Sequence, residues 1–284
     1  MKIAVLSGKA GTGKTLLSVN LAYVAKEATY VDCDVEEPNG HLYFKGSEDA
    51  KRTTVSRKFP VIDDGKCTSC RVCVDFCRFN ALAMAGETVT LFDNVCHSCG
   101  GCAILCPSGA ISEEDRSIGE VSDYRVGSVR VLSGKMNTGE AFGIPIIRTL
   151  FSRIDPSDGT VVVDCPPGSS CAVMESIRDA DVCVLVAEPT IFGSHNLDMV
   201  ARLAKLFDKQ IGVVLNKYEE GRENPSEHYC EENGLPVFEK IPFDKDLGMH
   251  HSEARIAAQE EKRYAELFSG ILGKANKAAS GGVS

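Results

Sequence analysis

The segment with the clearest chemistry, residues 8–15, reads GKAGTGKT and matches the pattern G-x-x-x-x-G-K-T. Its glycines allow backbone N–H groups to close around phosphate oxygens. Lys14 is predicted to neutralise the β- and γ-phosphates of a nucleotide, and the Thr15 hydroxyl to bind Mg²⁺. The alternative is a glycine-rich turn without a ligand. The residues of this segment and its flank predicted to contact nucleotide are Gly11, Thr12, Gly13, Lys14, Thr15 and Leu16.

Two apolar runs position this segment. Residues 3–6 are predicted to form a strand, and the 3.6-residue periodicity of residues 16–22 predicts a helix. A helix that begins at the glycine-rich loop adds partial positive charge to it. This strand–loop–helix context favours a phosphate site over a chance match.

Two further strands are predicted to end in acids. Residues 29–31 precede Asp32 and Asp34, and the run TVVV precedes Asp164. The carboxyl ends of parallel strands meet at one edge of a sheet, so these acids point towards the phosphate site. Asp164 has the Walker B form, which predicts binding to Mg²⁺ through water, with Gly168 near the γ-phosphate. The alternative for Asp32 and Asp34 is an acid-rich turn between strand and helix.

Eight of the 13 cysteines lie between about Phe59 and Ser117, in two copies of C-x2-C-x2-C-x3-C. This is the bacterial two-cluster ferredoxin pattern, in which the fourth cysteine of a run binds the other cluster. Zinc is the competing metal for Cys-x2-Cys pairs. Arg78 stands where the pattern has proline after the first copy. One [4Fe–4S] cluster is predicted on Cys67, Cys70, Cys73 and Cys106, and a second on Cys96, Cys99, Cys102 and Cys77.

The bulk properties limit the location and partners of the chain. Its 284 residues carry a formal net charge of −9, which argues against general binding to nucleic acid or anionic membranes. No apolar run approaches the length of a membrane-spanning helix, and the N-terminus lacks a signal-peptide pattern. We therefore expect a cytoplasmic protein whose cysteines bind metal rather than form disulfides.

Three motifs together resemble the MinD/ParA/Mrp superfamily of P-loop ATPases with a deviant Walker A loop. Lys9 stands two residues before Gly11, and residues 164–168 read DCPPG, a form similar to the Mrp/ApbC branch. Ala10 stands where the family usually has glycine, and alanine would be strained at positive φ. The resemblance extends over residues 2–273.

The resemblance implies a dimer formed around two ATP molecules, either a homodimer or a heterodimer with a paralogue. It implies that Lys9 reaches across the interface to the partner's nucleotide. It also implies that Asp34 orients the attacking water with support from Asp32, and that Asn216 and Pro242 lie at the adenine. The alternatives are a solvated loop lysine for Lys9 and a polar strand end for Asn216.

The predicted fold class is α/β, a P-loop NTPase whose mostly parallel sheet is flanked by helices and interrupted by a small ferredoxin-like α+β domain. The predicted domains are 1–58 and 118–275 for the ATPase, 59–117 for the insertion, and a disordered tail at 276–284. Within the second part we expect strands in 119–132 and a helix over 138–154. The terminal helix, 257–274, is predicted to pack on the sheet, because its polar side carries acids as well as lysines.

The remaining cysteines and histidines carry no complete motif. Cys171 lies seven residues after Asp164, the spacing of one cluster-bridging cysteine in nitrogenase iron protein, but the second such cysteine is missing. The bridging Cys-x-x-Cys pair of Mrp-type carriers is missing as well. We therefore predict buried apolar roles for Cys33, Cys165, Cys171, Cys183 and Cys230, and a surface position for His250 and His251.

These features predict an iron–sulfur ATPase that uses ATP to gate electron delivery to, or maturation of, a partner redox or metalloprotein. One alternative is an Fe–S or heterometal cluster assembly scaffold of the Mrp/ApbC type. The other is a spatial positioning ATPase of the MinD/ParA type, against which the negative charge argues.

Overall fold

The computed structural model describes residues 1–281, and the chain divides into two compact units. Unit 1 comprises Met1–Thr53, Val121–Lys135 and the chain from Ile146 onward. Unit 2 comprises Thr54–Glu120 and Met136–Pro145, so its first part begins five residues before the predicted insertion and ends three residues after it.

Eleven strands lie within residues 1–281. They are β1 (Lys2–Leu6), β2 (Thr29–Asp32), β3 (Lys51–Ile62), β4 (Leu82–Ala85), β5 (Thr88–Leu91), β6 (Ile111–Val126), β7 (Val129–Met136), β8 (Val161–Asp164), β9 (Val182–Ala187), β10 (Gln210–Tyr218) and β11 (Val237–Pro242).

The sheet of unit 1 has the strand order β11-β10-β9-β1-β8-β2-β7, and it continues through β6 and β3. The six pairs from β11 to β7 are all parallel. The apolar runs of β1, β8 and β9 are buried, as expected for strands covered on both faces. In unit 2, β4 and β5 form a separate antiparallel pair.

The helices of residues 1–281 are mostly short. They are α1 (Lys14–Val24), α2 (Gly40–Tyr43), α3 (Val72–Phe76), α4 (Gly101–Leu105), α5 (Ile144–Phe151), α6 (Cys171–Ile177), α7 (Ile191–Leu206), α8 (Pro225–Glu232), α9 (Lys245–Ser252), α10 (Ala257–Glu260) and α11 (Lys262–Ala279). Among these described helices, none is both long and apolar enough to cross a bilayer.

The core of unit 1 lies between the sheet and its helices. Helix α1 packs on β1, β8 and α11, while α7 packs on β9 and β10. Helix α11 buries Tyr264, Phe268, Ile271 and Ala275 and contacts β9, β10 and β11. Fully burying a side chain such as Phe268 contributes about 1.5–3 kcal/mol of transfer free energy. The prediction that the terminal helix packs on the sheet is therefore confirmed.

Two predicted elements have different bounds in the structure. The helix predicted over 138–154 is confined to α5, with Pro145 in its first turn, because proline lacks the N–H that a helix interior requires. The terminal helix is interrupted at Glu261, which has extended backbone, and then continues to Ala279. Residues 276–279 are thus helical, and their predicted disorder is wrong. Residues 282–284 of that predicted tail lie outside the described residues.

Candidate functional site

The glycine-rich loop joins β1 to α1 and requires glycine at two positions. Gly11 has φ +77° and Gly13, the residue before α1, has φ +104°, a region that favours glycine. A Cβ on Gly13 would also collide with the side-chain amide of Asn216. Ala10 is outside the positive-φ region, so alanine is tolerated there without backbone strain.

Asn216, at the end of β10, holds the loop. Its Nδ2 donates to the Thr12 carbonyl oxygen at 2.7 Å, and both side chains are buried. The bond closes a span of 204 residues along the chain. In this structure, Asn216 therefore positions the phosphate loop as well as lining the cavity beside it.

Lys14 lies among acids at the carboxyl edge of the sheet. Asp32 and Asp164 are opposite each other in the register of β2 and β8, and both are buried. Burial raises the pKa of Asp34 to about 6 and also raises the pKa of Asp164, and the positive charge of Lys14 opposes both shifts. The pKa of Asp32 is likewise raised, by burial and then by the charge of Asp164. A divalent cation at this edge would relieve the repulsion between the carboxylates.

Asp164 and Asp32 have separate hydrogen-bond roles. Asp164 Oδ2 accepts a bond of 3.0 Å from Tyr30 OH, while the buried Oδ1 has no partner within residues 1–281. Such an orphaned carboxylate oxygen fits a Mg²⁺ ion or its water shell. Asp32 instead accepts from the backbone N–H of Asp34 at 3.3 Å and of Gly40 at 2.8 Å. It therefore holds the segment that carries Asp34.

A cavity of about 500 Å³ opens beside the loop. The predicted site residues that line it are Gly11, Gly13, Lys14, Thr15, Leu16, Asp34, Asn216 and Pro242. Lys9, Thr12, Asp164 and Gly168 are outside this lining. Three aromatic side chains outside the predicted set of site residues also line it: Tyr43, Phe243 and His251.

The predicted surface position of the two neighbouring histidines is wrong. His250 is buried, and its Nε2 lies 2.9 Å from Glu261 Oε1. His251 is half-buried and bonds to Tyr43. His250 therefore faces Glu261, which follows α10, whereas His251 packs against Tyr43 of α2.

Lys9 is held within its own chain. Its Nζ lies 2.5 Å from Glu188 Oε2, and Lys217 Nζ contacts the other oxygen of the same carboxylate. Lys217 also donates to the Gly11 carbonyl oxygen at 3.2 Å. Burial opposes ionisation of Glu188, but bonds from Lys217 and Lys9 outweigh it and lower the pKa of Glu188. Glu188 therefore anchors Lys9 in a fixed position beside the loop.

In unit 2, the two cysteine runs have the same backbone form. Positive φ values recur at equivalent positions of the two runs, at Ser69 and Ser98, Arg71 and Gly100, and Asn80 and Gly109. Helices α3 and α4 also occupy equivalent positions in their runs. The sulfur of Cys77 accepts from Ala81 N at 3.3 Å, and that of Cys106 accepts from Ala110 N at 3.2 Å. The sequence repeat is thus a structural repeat.

Two cavities in unit 2 are each lined by four cysteines. One, of about 100 Å³, is lined by Cys77, Cys96, Cys99 and Cys102. The other, of about 10 Å³, is lined by Cys67, Cys70, Cys73 and Cys106. Each therefore takes three cysteines from one run and the last cysteine from the other.

The 13 cysteines all lie within residues 1–281, and none of them forms a disulfide there. Across residues 1–281, no three His, Cys, Asp or Glu side chains are grouped as ligands of a single metal ion. Cys33, Cys165, Cys183 and Cys230 are buried, as predicted. The prediction of a buried Cys171 is wrong, because this residue lies exposed at the start of α6.

The comparison with family models identifies the fold family. The CobQ/CobB/MinD/ParA nucleotide binding domain matches residues 3–254. The chain belongs to this family. The predicted MinD/ParA-type P-loop fold, with a mostly parallel sheet flanked by helices, is therefore confirmed.

Solved structures of MinD share this fold. The cell division ATPase MinD of Pyrococcus furiosus is 17% identical, with a TM-score of 0.60 over 97% of this chain and 98% of that one. The septum site-determining protein MinD of Pyrococcus horikoshii, complexed with Mg-ADP, is 19% identical, with a TM-score of 0.59 over 100% and 99%.

Sequence relatives include two proteins of Methanocaldococcus jannaschii. Uncharacterized protein MJ0579 is 30% identical over 77% of this chain and 80% of its own length. Uncharacterized protein MJ0578 is 29% identical over 87% of this chain and 86% of its own length. Hydrogenase-4 component A of Escherichia coli is 30% identical over 43% of this chain and 58% of its own length.

Proposed function

We propose that this protein is a Mg²⁺-dependent ATPase whose nucleotide cycle controls two [4Fe–4S] clusters in unit 2. The purpose would be ATP-gated electron delivery to, or maturation of, a partner metalloprotein. One observation supports this proposal above all. The same chain contains a cavity beside the glycine-rich loop of a nucleotide-binding family and two cavities that are each lined by four cysteines.

The residues of unit 1 suit ATP hydrolysis. The loop N–H groups and Lys14 would hold the phosphates, and Thr15 and Asp164 would hold Mg²⁺. Asp34 lines the cavity and would orient the attacking water as a carboxylate. Burial raises the pKa of Asp34 to about 6, which is still below neutral pH, so the carboxyl remains mostly ionised there. Asp32 would keep it in place through the two backbone bonds described above.

The residues of unit 2 fit [4Fe–4S] clusters better than single zinc ions. Zinc draws its four sulfurs to about 2.3 Å from one point, whereas each thiolate of a cubane binds a different iron. Four thiols around each cavity, three from one run and one from the other, suit the second arrangement. Clusters bound there would supply one-electron chemistry. The partial likeness to a protein named as a hydrogenase component agrees with a redox role.

The chain connects the two sites covalently. The segment after Asp34 continues through α2 into β3, which begins in unit 1 and ends in unit 2. Release of γ-phosphate and Mg²⁺ moves such switch segments in nucleotide-dependent proteins. We therefore place the coupling in residues 34–54, between Asp34 and the first residue of unit 2.

The proposal includes a dimer in which Lys9 acts on the partner's nucleotide. Replacing Lys9 with alanine should leave the affinity for MgADP within about twofold, because Lys9 is outside the cavity lining. ATP hydrolysis should fall by about 100-fold or more, since a cation supplied by a partner is worth about 10³–10⁵ in phosphoryl transfer. Equilibrium binding and phosphate release measure the two effects.

Glu188→Gln is the matched variant for this test. It keeps Lys9 but weakens the contact that holds Lys9 within its own chain, so hydrolysis should be retained. Normal hydrolysis by Lys9→Ala would show that Lys9 is an ordinary loop lysine.

Anaerobic purification followed by EPR tests the proposal as a whole. We expect two [4Fe–4S] clusters per chain and a change in their signals or potentials when MgATP is added. Colourless protein, or zinc bound to the thiols, would overturn the cluster assignment. Unchanged spectra with ATP would overturn the coupling.

A spatial positioning role of the MinD type is the second candidate, because the family and the similar solved structures favour it. The net charge of −9 weighs against anionic membrane or DNA surfaces. ATP-dependent binding to anionic vesicles or to DNA, together with an absence of iron, would favour this role.

A further inference from the structure

Two aromatic residues far apart in the chain meet at the nucleotide cavity. The hydroxyl oxygen of Tyr43 lies 2.5 Å from His251 Nδ1 and 3.1 Å from the His251 carbonyl oxygen. The two rings stack, with centroids 5.6 Å apart and planes inclined by 24°. Both residues line the cavity, as does Phe243, whose surface is 60% exposed.

The protonation of this pair is set by its surroundings. Burial, and then the positive charge of Lys217, lower the pKa of His251. Burial, and then the negative charge of Asp164, raise the pKa of Tyr43 to about 12. Both rings are therefore neutral near pH 7, and a hydrogen bond joins the Tyr43 hydroxyl to Nδ1 of His251. A neutral stacked pair suits an uncharged aromatic ligand better than a phosphate.

A chain of contacts connects this pair to Asp164 at the carboxyl edge of the sheet. Tyr43 is followed by Phe44, which is buried with its ring centroid 5.1 Å from that of Tyr30. The Phe44 carbonyl oxygen accepts a bond of 3.0 Å from Tyr124 OH. Tyr30 OH donates to Asp164. The residue after Tyr43 thus packs on the side chain that orients Asp164.

We infer that Tyr43 and His251 form the wall of the cavity that binds the base of the nucleotide, and that they tie base binding to the segment carrying Asp34. The pair joins α2, which follows Asp34, to α9, which follows the predicted adenine-side residue Pro242. A bound base would stack on this wall and hold α2 against α9. A ligand with phosphates but no base would leave the contact unused. The inference rests on nucleotide binding at this cavity and is independent of the clusters in unit 2.

Comparing MgADP with magnesium tripolyphosphate separates the base wall from the phosphate site. Tyr43→Ala and His251→Ala should each lower the affinity for MgADP by about tenfold or more, because stacking of one base on an aromatic ring raises affinity by roughly 5- to 150-fold. Neither change should alter the affinity for tripolyphosphate by more than about twofold. The double variant should lose little more than the worse single variant, because both remove the same wall. Titration calorimetry measures all of these affinities.

The control is His41→Ala, on the same short helix but exposed. It should bind both ligands as the unchanged protein does. If Tyr43→Ala does not fold, Tyr43→Phe replaces it, because this change keeps the ring and removes only the bond to His251. The affinity for MgADP should then fall about two- to tenfold. Equal weakening of both ligands, or no weakening of MgADP, would overturn the inference. Failure of the unchanged protein to bind either ligand would instead contradict the nucleotide site itself.

Discussion

Lys14→Ala is expected to weaken nucleotide binding by about 1,000-fold for MgADP and MgATP and to leave no measurable hydrolysis. Lys14 is buried at the first residue of α1, and its charge acts on both Asp34 and Asp164. Removing one partner of a buried, hydrogen-bonded charge pair costs about 2–5 kcal/mol of binding free energy. We expect a loss towards the upper end of this range, because two phosphates would lose the same cation. Calorimetry with both nucleotides measures the loss.

The same substitution should also change the pKa values and the stability of the nucleotide-free protein. Without Lys14, the pKa values of Asp34 and Asp164 should rise further, because the cation that opposes burial is gone. We therefore pair Lys14→Ala with Lys14→Met, which restores most of the buried apolar stem, and follow the thermal unfolding of both. Lys205→Ala, on exposed surface of α7, is the control and should bind nucleotide normally. Binding of MgADP by a folded Lys14→Met protein within about threefold of normal would contradict the assigned role of Lys14.

The grouping of the proposed phosphate-site residues was predictable because the parts of the site are local. The loop and its helix lie in one short stretch. Asp164 ends an apolar strand and Asp34 follows another by two residues, and both strands are recognisable in the sequence. The rule that parallel strands end at one edge then brings them together. The grouping of the eight cysteines was predictable for the same reason, since the repeated run is visible in the letters alone.

What the sequence did not indicate are contacts between distant, single residues. Tyr43 and His251 are 208 positions apart, and neither stands in a motif or a periodic run. Glu188 belongs to none of the predicted site motifs, yet it pairs with Lys9 from the loop. Cys171 was wrongly expected to be buried, because a cysteine in isolation gives no sign of which face of a short helix it occupies. Such contacts are set by tertiary packing and leave no local signal.

Under the proposed function, Cys106→Ser is expected to remove about half of the iron bound per chain. Cys106 is the last cysteine of the second run but lines the cavity of Cys67, Cys70 and Cys73. A serine oxygen in its place would leave one iron of that cluster without its thiolate. The other cavity takes its fourth cysteine, Cys77, from the first run, and it should keep its proposed cluster. Iron analysis and EPR of anaerobically prepared protein measure the loss.

Two double variants decide whether the runs exchange their last cysteines. If Cys106 serves the cavity that it lines, Cys73→Ser with Cys106→Ser should lose the same half of the iron as Cys106→Ser alone. Cys102→Ser with Cys106→Ser should then lose nearly all of it, because the two residues belong to different cavities. The reverse pattern would assign Cys106 to its own run. Cys171→Ser, exposed and in unit 1, is the control and should retain all of the iron.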